Sequence, residues 1–116
     1  MSRAGQKPVE NSRFSDMSKH GNSKENDRLH HLYGIYEEKT DDLFKYGISG
    51  GPIGPDGTSK RMRSQVNFLN LAAGFVRFVA RILLFNIPGR REAERIEQEY
   101  IDAYRDKHGE NPRGNP

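Results

Sequence analysis

The chain has 116 residues, of which 33% are hydrophobic and 30% are charged, and its formal net charge is +3. This length accommodates one domain and leaves little room for a second. The absence of cysteine excludes disulfide-stabilised scaffolds and thiolate metal sites. The longest apolar stretch, residues 75–87, is interrupted by two arginines, so we predict no membrane span and a soluble protein.

Apolar residues are scarce at the N-terminus. Residues 1–28 are mainly Ser, Asn, Lys, Gly and Asp, and they cannot bury enough surface to offset the entropy of ordering the segment. We therefore predict a polar linker or flexible arm over 1–28 and one domain over 29–116. The compact part of that domain should span about 29–107, because the tail from residue 108 is rich in turn-forming residues.

The first predicted element is a β-hairpin. HLYGIYE at 31–37 and LFKYGIS at 43–49 are rich in aromatic and branched residues and flank a short polar turn. The Gly/Pro loop at 50–57 can form neither a helix nor a strand. Thr58 or Ser59 can then cap a helix that extends to about residue 73.

The second half of the chain predicts a strand and another helix. Residues 75–85 could extend the first helix, but their Val, Ile and Phe content favours a third strand over the second half of this stretch. Pro88-Gly89 should end it, and a helix should follow from about Arg90 to Arg105. The order β-β-α-β-α predicts a small α+β domain with a three-stranded, mostly antiparallel sheet flanked by helices.

Charge is unevenly distributed within the domain. Residues 60–95 contain eight basic and two acidic side chains, whereas residues 29–59 are net acidic. Such segregation suits a polyanionic partner such as nucleic acid, and it also occurs by chance on solvated surfaces.

Polar residues on apolar helix faces give the sharpest clues. Glu97 falls within the apolar arc of the last helix, and Arg61 and Gln65 fall within the apolar arc of the first. A half-buried carboxylate needs a cation or hydrogen-bond donors to offset its lost hydration. Arg61 and Glu97 could pair with each other, or both could face one cleft.

The register of the hairpin determines which of its residues share a face with Tyr36. A four-residue loop at 39–42 would place Tyr36 opposite Lys45, on one face with Gly34 and Gly47, where the glycines leave room for a ligand. A slip of one residue would bring Tyr46 beside Tyr36 instead. The opposite, core-facing side would carry Tyr33, Ile35, Phe44, Tyr46 and Ile48.

The hairpin resembles the two motifs of the GIY-YIG nuclease superfamily. Gly34-Ile35-Tyr36 matches the first motif. Residues 45–49, KYGIS, resemble the second, with Lys45 in place of the second Tyr. An alternative alignment keeps Tyr46 as that Tyr and loses the motif Gly.

The resemblance extends over about residues 31–115. Family members carry an Arg early in the next helix, often four residues before a His, and Arg61 and Gln65 have this spacing with Gln in place of His. The metal-binding Glu of a later helix matches Glu97. The late Asn matches Asn115, or alternatively Asn111.

What the resemblance implies is metal-assisted phosphodiester hydrolysis. Glu97 would hold Mg²⁺ or Mn²⁺, and Arg61 would stabilise charge on the phosphoryl oxygens. Tyr36 would position or deprotonate the attacking water, its pKa lowered by Lys45 or the metal, and Lys45 or Tyr46 would complete the nucleophile side. The residues expected to bind nucleic acid are Lys60, Arg63, Gln65, Arg90, Arg91 and Asn115.

The overall make-up resembles the toxin module of a bacterial polymorphic toxin. This implies a nuclease with little sequence preference, acting on DNA in preference to RNA. It also implies delivery by a larger toxin into the target-cell cytoplasm and neutralisation by an immunity protein. The alternatives are a non-catalytic nucleic-acid-binding domain, with Arg61 and Glu97 as a structural pair, and an interaction domain for an acidic protein.

Overall fold

A three-stranded sheet between two helices forms the fold. The computed structural model describes residues 28–116, so nearly all of the predicted arm lies outside the described residues. The elements are β1 (Leu29–Glu37), β2 (Leu43–Ser49), α1 (Lys60–Ala73), β3 (Phe78–Pro88) and α2 (Arg90–His108). The strands have the spatial order β2-β1-β3, and both pairings are antiparallel, which confirms the predicted α+β class and element order. No helix within 28–116 combines the length and apolar character needed to cross a membrane.

Apolar residues cover both faces of the sheet. Successive residues of a strand point to opposite faces, and neighbouring Leu32 and Tyr33 accordingly belong to different core clusters. Tyr33 packs in the cluster that contains Met62 of α1, whereas Leu32 packs with Ala93 of α2. The two helices therefore lie on opposite faces of the central strand β1.

Both helices end at a glycine in the left-handed conformation. Ser59 is the N-cap of α1, and Gly74 (φ 82°) is its C-cap, which agrees with the predicted helix. Helix α2 continues to His108 and ends at Gly109 (φ 86°), three residues beyond the predicted end at Arg105. Basic side chains in its last turn suit the negative end of the helix dipole, which explains the extra turn.

Strand β3 is longer than the sequence predicted. It begins at Phe78, before the second half of the 75–85 stretch, and it continues to Pro88, which pairs with Leu29; Pro88-Gly89 ends it as predicted. Proline is tolerated here because it is the last residue of an edge strand. Asn86 has a positive φ of 56°, and the pairing with β1 is irregular between His30 and Tyr33.

The hairpin register differs from the predicted one. Lys45 pairs with Ile35 rather than with Tyr36, and Tyr36 pairs with Leu43 beyond a bulge. The connection is one residue longer than predicted because β1 ends at Glu37, and Asp41 within it has a φ of 65°. The predicted pairing of Tyr36 with Lys45, and the placement of Tyr46 on the face of Tyr33, are therefore wrong.

A carboxylate at the end of β1 joins three parts of the chain. The Glu37 carboxylate accepts hydrogen bonds from Arg77 Nε (2.9 Å) and Nη2 (2.9 Å), just before β3, and from Arg113 Nη2 (2.8 Å) in the C-terminal tail. These hydrogen bonds lower the pKa of Glu37 to about 2. The tail is thereby linked to the sheet.

This cluster predicts a specific acid sensitivity. A carboxylate with a depressed pKa contributes stability that is present above pH 4.5, its ordinary pKa, and is lost as pH falls toward about 2. Over that window the wild-type free energy of unfolding should fall more steeply than that of Glu37→Gln, measured by urea denaturation at several pH values. Glu38→Gln, an exposed neighbour, should follow the wild type. Parallel curves for wild type and Glu37→Gln would contradict this role.

Candidate active site

Three predicted site residues lie close together in space. Burial raises the pKa of the half-buried Glu97 carboxyl on α2. The positive charges of Lys45 on β2 and Arg61 on α1 oppose that rise, and Glu94 adds to it. Side chains from β2 and from helices on opposite faces thus act on a single carboxylate.

Tyr33 is the tyrosine beside this group. Its side chain is fully buried, and its hydroxyl donates a 2.7 Å hydrogen bond to Gln65 Oε1 on α1. Burial raises the pKa of Tyr33, the Arg61 guanidinium opposes this, and Glu97 adds to the rise. The ring covers Gly47, where a Cβ atom would lie 2.5 Å from Tyr33 Cζ. Gly47 therefore accommodates an aromatic ring, not a ligand as predicted.

Tyr36 and Tyr46 lie in a different group. The Arg81 guanidinium stacks over the Tyr36 ring at 4.5 Å from its centroid, and the Tyr46 ring packs against Tyr100. Burial raises the pKa of both hydroxyls. The predicted lowering of the Tyr36 pKa by Lys45 is not found, because the register pairs Lys45 with Ile35.

A basic cleft of about 470 Å³ adjoins the cluster. It lies between the end of β2, the glycine-rich loop that follows and the beginnings of both helices. Arg61 belongs to both the cleft and the cluster, and Lys60 and Arg90 are the two predicted nucleic-acid-binding residues that line the cleft. The lining residues with charged, polar or imidazole side chains are Arg28, His30, Ser49, Lys60, Arg61, Ser64 and Arg90.

The other predicted nucleic-acid-binding residues do not line this cleft. Arg63 Nη1 donates to the Thr58 carbonyl oxygen (3.2 Å) and lies 3.7 Å from Asp56. Asn115 pairs with the backbone of β2: its Oδ1 accepts from Tyr46 N (2.7 Å) and its Nδ2 donates to Tyr46 O (3.0 Å). Gln65 accepts a hydrogen bond from the Tyr33 hydroxyl, and Arg91 is exposed at the start of α2.

The chemistry of Glu97 suits a single-carboxylate metal site. Within residues 28–116 no three His, Asp or Glu side chains lie close enough to share an ion. In the same part of the chain, no hydrogen-bond donor contributes to the pKa of the Glu97 carboxylate, which is half-buried. Mg²⁺ is commonly held by one or two carboxylates, with water and substrate phosphate as the remaining ligands. The residues present fit such an ion.

The family model described as URI fold toxin 2 matches residues 23–109. The chain belongs to this family. The match agrees with the toxin module predicted from the sequence. It covers all five elements and ends before the C-terminal tail. No curated protein and no solved structure matches the chain.

Sequence reasoning missed Tyr33 in this URI fold toxin. The sequence predicts it on the core face, and it is buried, but its hydroxyl also donates a hydrogen bond to Gln65, and its ring lies beside Arg61. A glycine directly across the hairpin was the available signal, because Gly47 opposite Tyr33 leaves space for the ring to cross β2. The four-residue loop assumed for the hairpin hid that pairing.

The roles of Tyr33 and Tyr36 can be distinguished by removing one hydroxyl group at a time. Tyr33→Phe should destabilise the fold by about 1–2 kcal/mol, because Gln65 Oε1 loses its buried donor. For a nuclease, the same change should also lower the cleavage rate more than Tyr36→Phe does, because Arg61 loses the hydroxyl beside it. Urea denaturation and initial cleavage rates measure the two effects. A larger loss of cleavage in Tyr36→Phe would return the site role to Tyr36.

Proposed function

We propose that this chain is a divalent-metal-dependent endonuclease of the GIY-YIG type that hydrolyses phosphodiester bonds with little sequence preference. The observation that carries the proposal is that Lys45 and Arg61 act electrostatically on Glu97, and that Arg61 also lines a cleft with further basic residues. A carboxylate for a metal, a guanidinium for a phosphoryl group and a positive surface for a polyanion are the parts that such a reaction requires.

Arg61 and Lys45 are assigned to the reacting phosphate. In hydrolysis a water oxygen attacks phosphorus and gives up a proton to solvent, the bond from phosphorus to the leaving oxygen breaks, and the leaving oxygen takes up a proton from solvent. Negative charge grows on the phosphoryl oxygens as this happens. The Arg61 guanidinium offers a planar set of donors to those oxygens, and Lys45 offers a second positive charge. Glu97 would hold the Mg²⁺ or Mn²⁺ ion, which when bound polarises the phosphoryl oxygen and stabilises the leaving oxygen.

The tyrosines act in this proposal as protonated groups. Burial raises the pKa of Tyr33, Tyr36 and Tyr46 above the ordinary value of 10.0, so all three hydroxyls keep their protons at neutral pH. Tyr33 is then a positioning residue, which holds Gln65 by a hydrogen bond and lies against Arg61. Tyr36 stacks against Arg81 and Tyr46 packs against Tyr100, and we do not assign either hydroxyl as the base.

The cleft residues bind the strand on either side of the reacting phosphate. Lys60 and Arg90 are exposed and line the cleft with Arg61. Contacts from such side chains to phosphates position the strand and carry no sequence information. This supports cleavage with little sequence preference. We propose DNA as the favoured substrate.

Membership of a toxin family supports a cognate immunity protein as partner. We propose that this protein presents an acidic surface to the basic cleft and so prevents nucleic acid from entering it. Delivery by a larger toxin into the cytoplasm of a target cell is the setting in which such a module acts.

The test is to incubate the folded protein with plasmid DNA and, separately, with structured RNA. Each substrate is combined with Mg²⁺, with Mn²⁺ or with chelator, beside Glu97→Gln as the matched inactive variant. Metal-dependent cutting that the variant lacks is the expected result, and the substrate that is cut identifies the natural class. Binding that weakens with salt, without cutting under any condition, would instead indicate a non-catalytic nucleic-acid-binding domain.

A further inference from the structure

Aromatic rings line a second cleft, of about 410 Å³, at the C-terminal end of α2. It lies between that helix and β2, and the site described above makes no use of it. Clefts of about 300–1,000 Å³ are the usual size for ligand sites. The residues that line it are Tyr46, Glu99, Tyr100, Ala103, Tyr104, Lys107 and His108.

Two ring pairs form the aromatic part of this cleft. Tyr46 and Tyr100 meet edge to face, with centroids 5.4 Å apart and planes at 75°. Tyr104 and His108 lie closer to parallel, with centroids 4.1 Å apart and planes at 34°. The three tyrosines are half-buried and the histidine is exposed, so ring surface remains open to a flat ligand.

Lys107 places a positive charge at the rim of the cleft. Lys107 is exposed and, within residues 28–116, forms no ion pair. The acidic lining residue, Glu99, pairs with Arg95, which also pairs with Glu92. The cleft therefore offers aromatic faces beside the ammonium group of Lys107, the combination by which proteins bind the bases and phosphates of single strands.

The position of the cleft connects it to the candidate active site. Tyr100 lies about one helical turn after Glu97 on α2, and its ring contacts that of Tyr46 on β2. Tyr104 is seven residues beyond Glu97, about 10 Å along the helix axis. A strand whose phosphate lies at Glu97 therefore has its neighbouring nucleotides within reach of these rings.

We propose that this aromatic cleft binds an unpaired nucleobase next to the scissile phosphate, so that the enzyme acts on single-stranded nucleic acid. The inference rests on the proposed nuclease function for its position, but its chemistry is independent of cleavage. Bases inside a duplex are stacked on their neighbours, whereas an unpaired base can place its face on a tyrosine. DNA and RNA share this feature.

The test measures binding in chelator, where cleavage cannot interfere. Fluorescence anisotropy compares a short single-stranded DNA, the same sequence as RNA, and a duplex of that sequence. Single strands should bind more tightly than the duplex. Tyr104→Leu should weaken single-strand binding at least about fivefold, since stacking on one aromatic side chain contributes that much or more. Duplex binding should be unchanged.

Two further variants make the result specific. Tyr104→Phe keeps the ring and should bind single strands like the wild type, and Phe75→Leu removes an exposed ring outside the cleft and should do the same. A folded Tyr104→Leu protein with wild-type affinity for single strands would overturn the proposal, even if the protein is a nuclease. Conversely, loss of binding in that variant alone would support the base site even if no metal supports cutting.

Discussion

Glu97→Gln is expected to reduce the metal-dependent cleavage of the proposed nuclease at least about a thousandfold, because the ion that Glu97 would hold at the reacting phosphate contributes several kcal/mol of charge stabilisation. Glutamine has the shape of glutamate but lacks the negative charge that holds the cation. Burial already raises the pKa of Glu97, so the charged form is disfavoured in the folded protein. The variant should therefore be at least as stable as the wild type at neutral pH.

The pH dependence of the free energy of unfolding tests the burial of Glu97 independently of cleavage. A raised pKa means that the folded protein retains the Glu97 proton after the unfolded chain has lost it, so wild-type stability falls as pH rises above 4.5, until the folded-state pKa is passed. Glu97→Gln lacks that contribution. Glu92→Gln, in the first turn of α2, is the matched control and should cleave normally. Full activity in Glu97→Gln would remove Glu97 from the reaction.

Arg61→Ala should produce the second largest loss, of about 100- to 1,000-fold in the cleavage rate, the usual effect of removing one preorganised donor at a reacting centre. Arg61 is the residue common to the basic cleft and to the Glu97 cluster. Its loss should therefore lower the rate at saturating substrate as well as the affinity. Single-turnover cleavage at several substrate concentrations separates these effects.

Arg63→Ala is the matched comparison on the same helix. Arg63 contacts Thr58 and Asp56, does not line the cleft, and carries the same charge two residues away. Its replacement should leave the rate within a few-fold of the wild type. Equal losses in the two variants would mean that only overall positive charge matters, as in a domain that binds nucleic acid without a preorganised reaction site.

The order of elements could be predicted because each has a local signature. Aromatic and branched runs around a polar turn indicate the hairpin, and Pro88-Gly89 separates the last strand from the last helix. Glu97 and Arg61 stood out because a charge on an apolar helix face is unusual. Whether Glu97 and Arg61 lie near each other depends on the tertiary fold, which their sequence positions do not determine.

The register of the hairpin was not predictable from the same patterns. Alternation of side chains is preserved under several loop lengths, and the left-handed Asp41 and the bulge at Tyr36 select one of them. This single difference moved Tyr36 away from Lys45 and revealed Tyr33 as the neighbour of Arg61. Asn115 could be matched to a family position, but its pairing with Tyr46 depends on where the tail returns.

The return of the tail has a consequence for the order in which the protein assembles. Asn115 and Tyr46 are 69 residues apart, and their two hydrogen bonds complete the outer edge of the strand that carries Lys45. Gly114 N adds a further bond to Phe44 O at 2.8 Å. During synthesis the first strands emerge long before these partners do. The hydrogen bonds along this edge of β2 can therefore form only after residues 114 and 115 have left the ribosome. A chain interrupted earlier would contain every candidate catalytic side chain but would lack these hydrogen bonds beside Lys45.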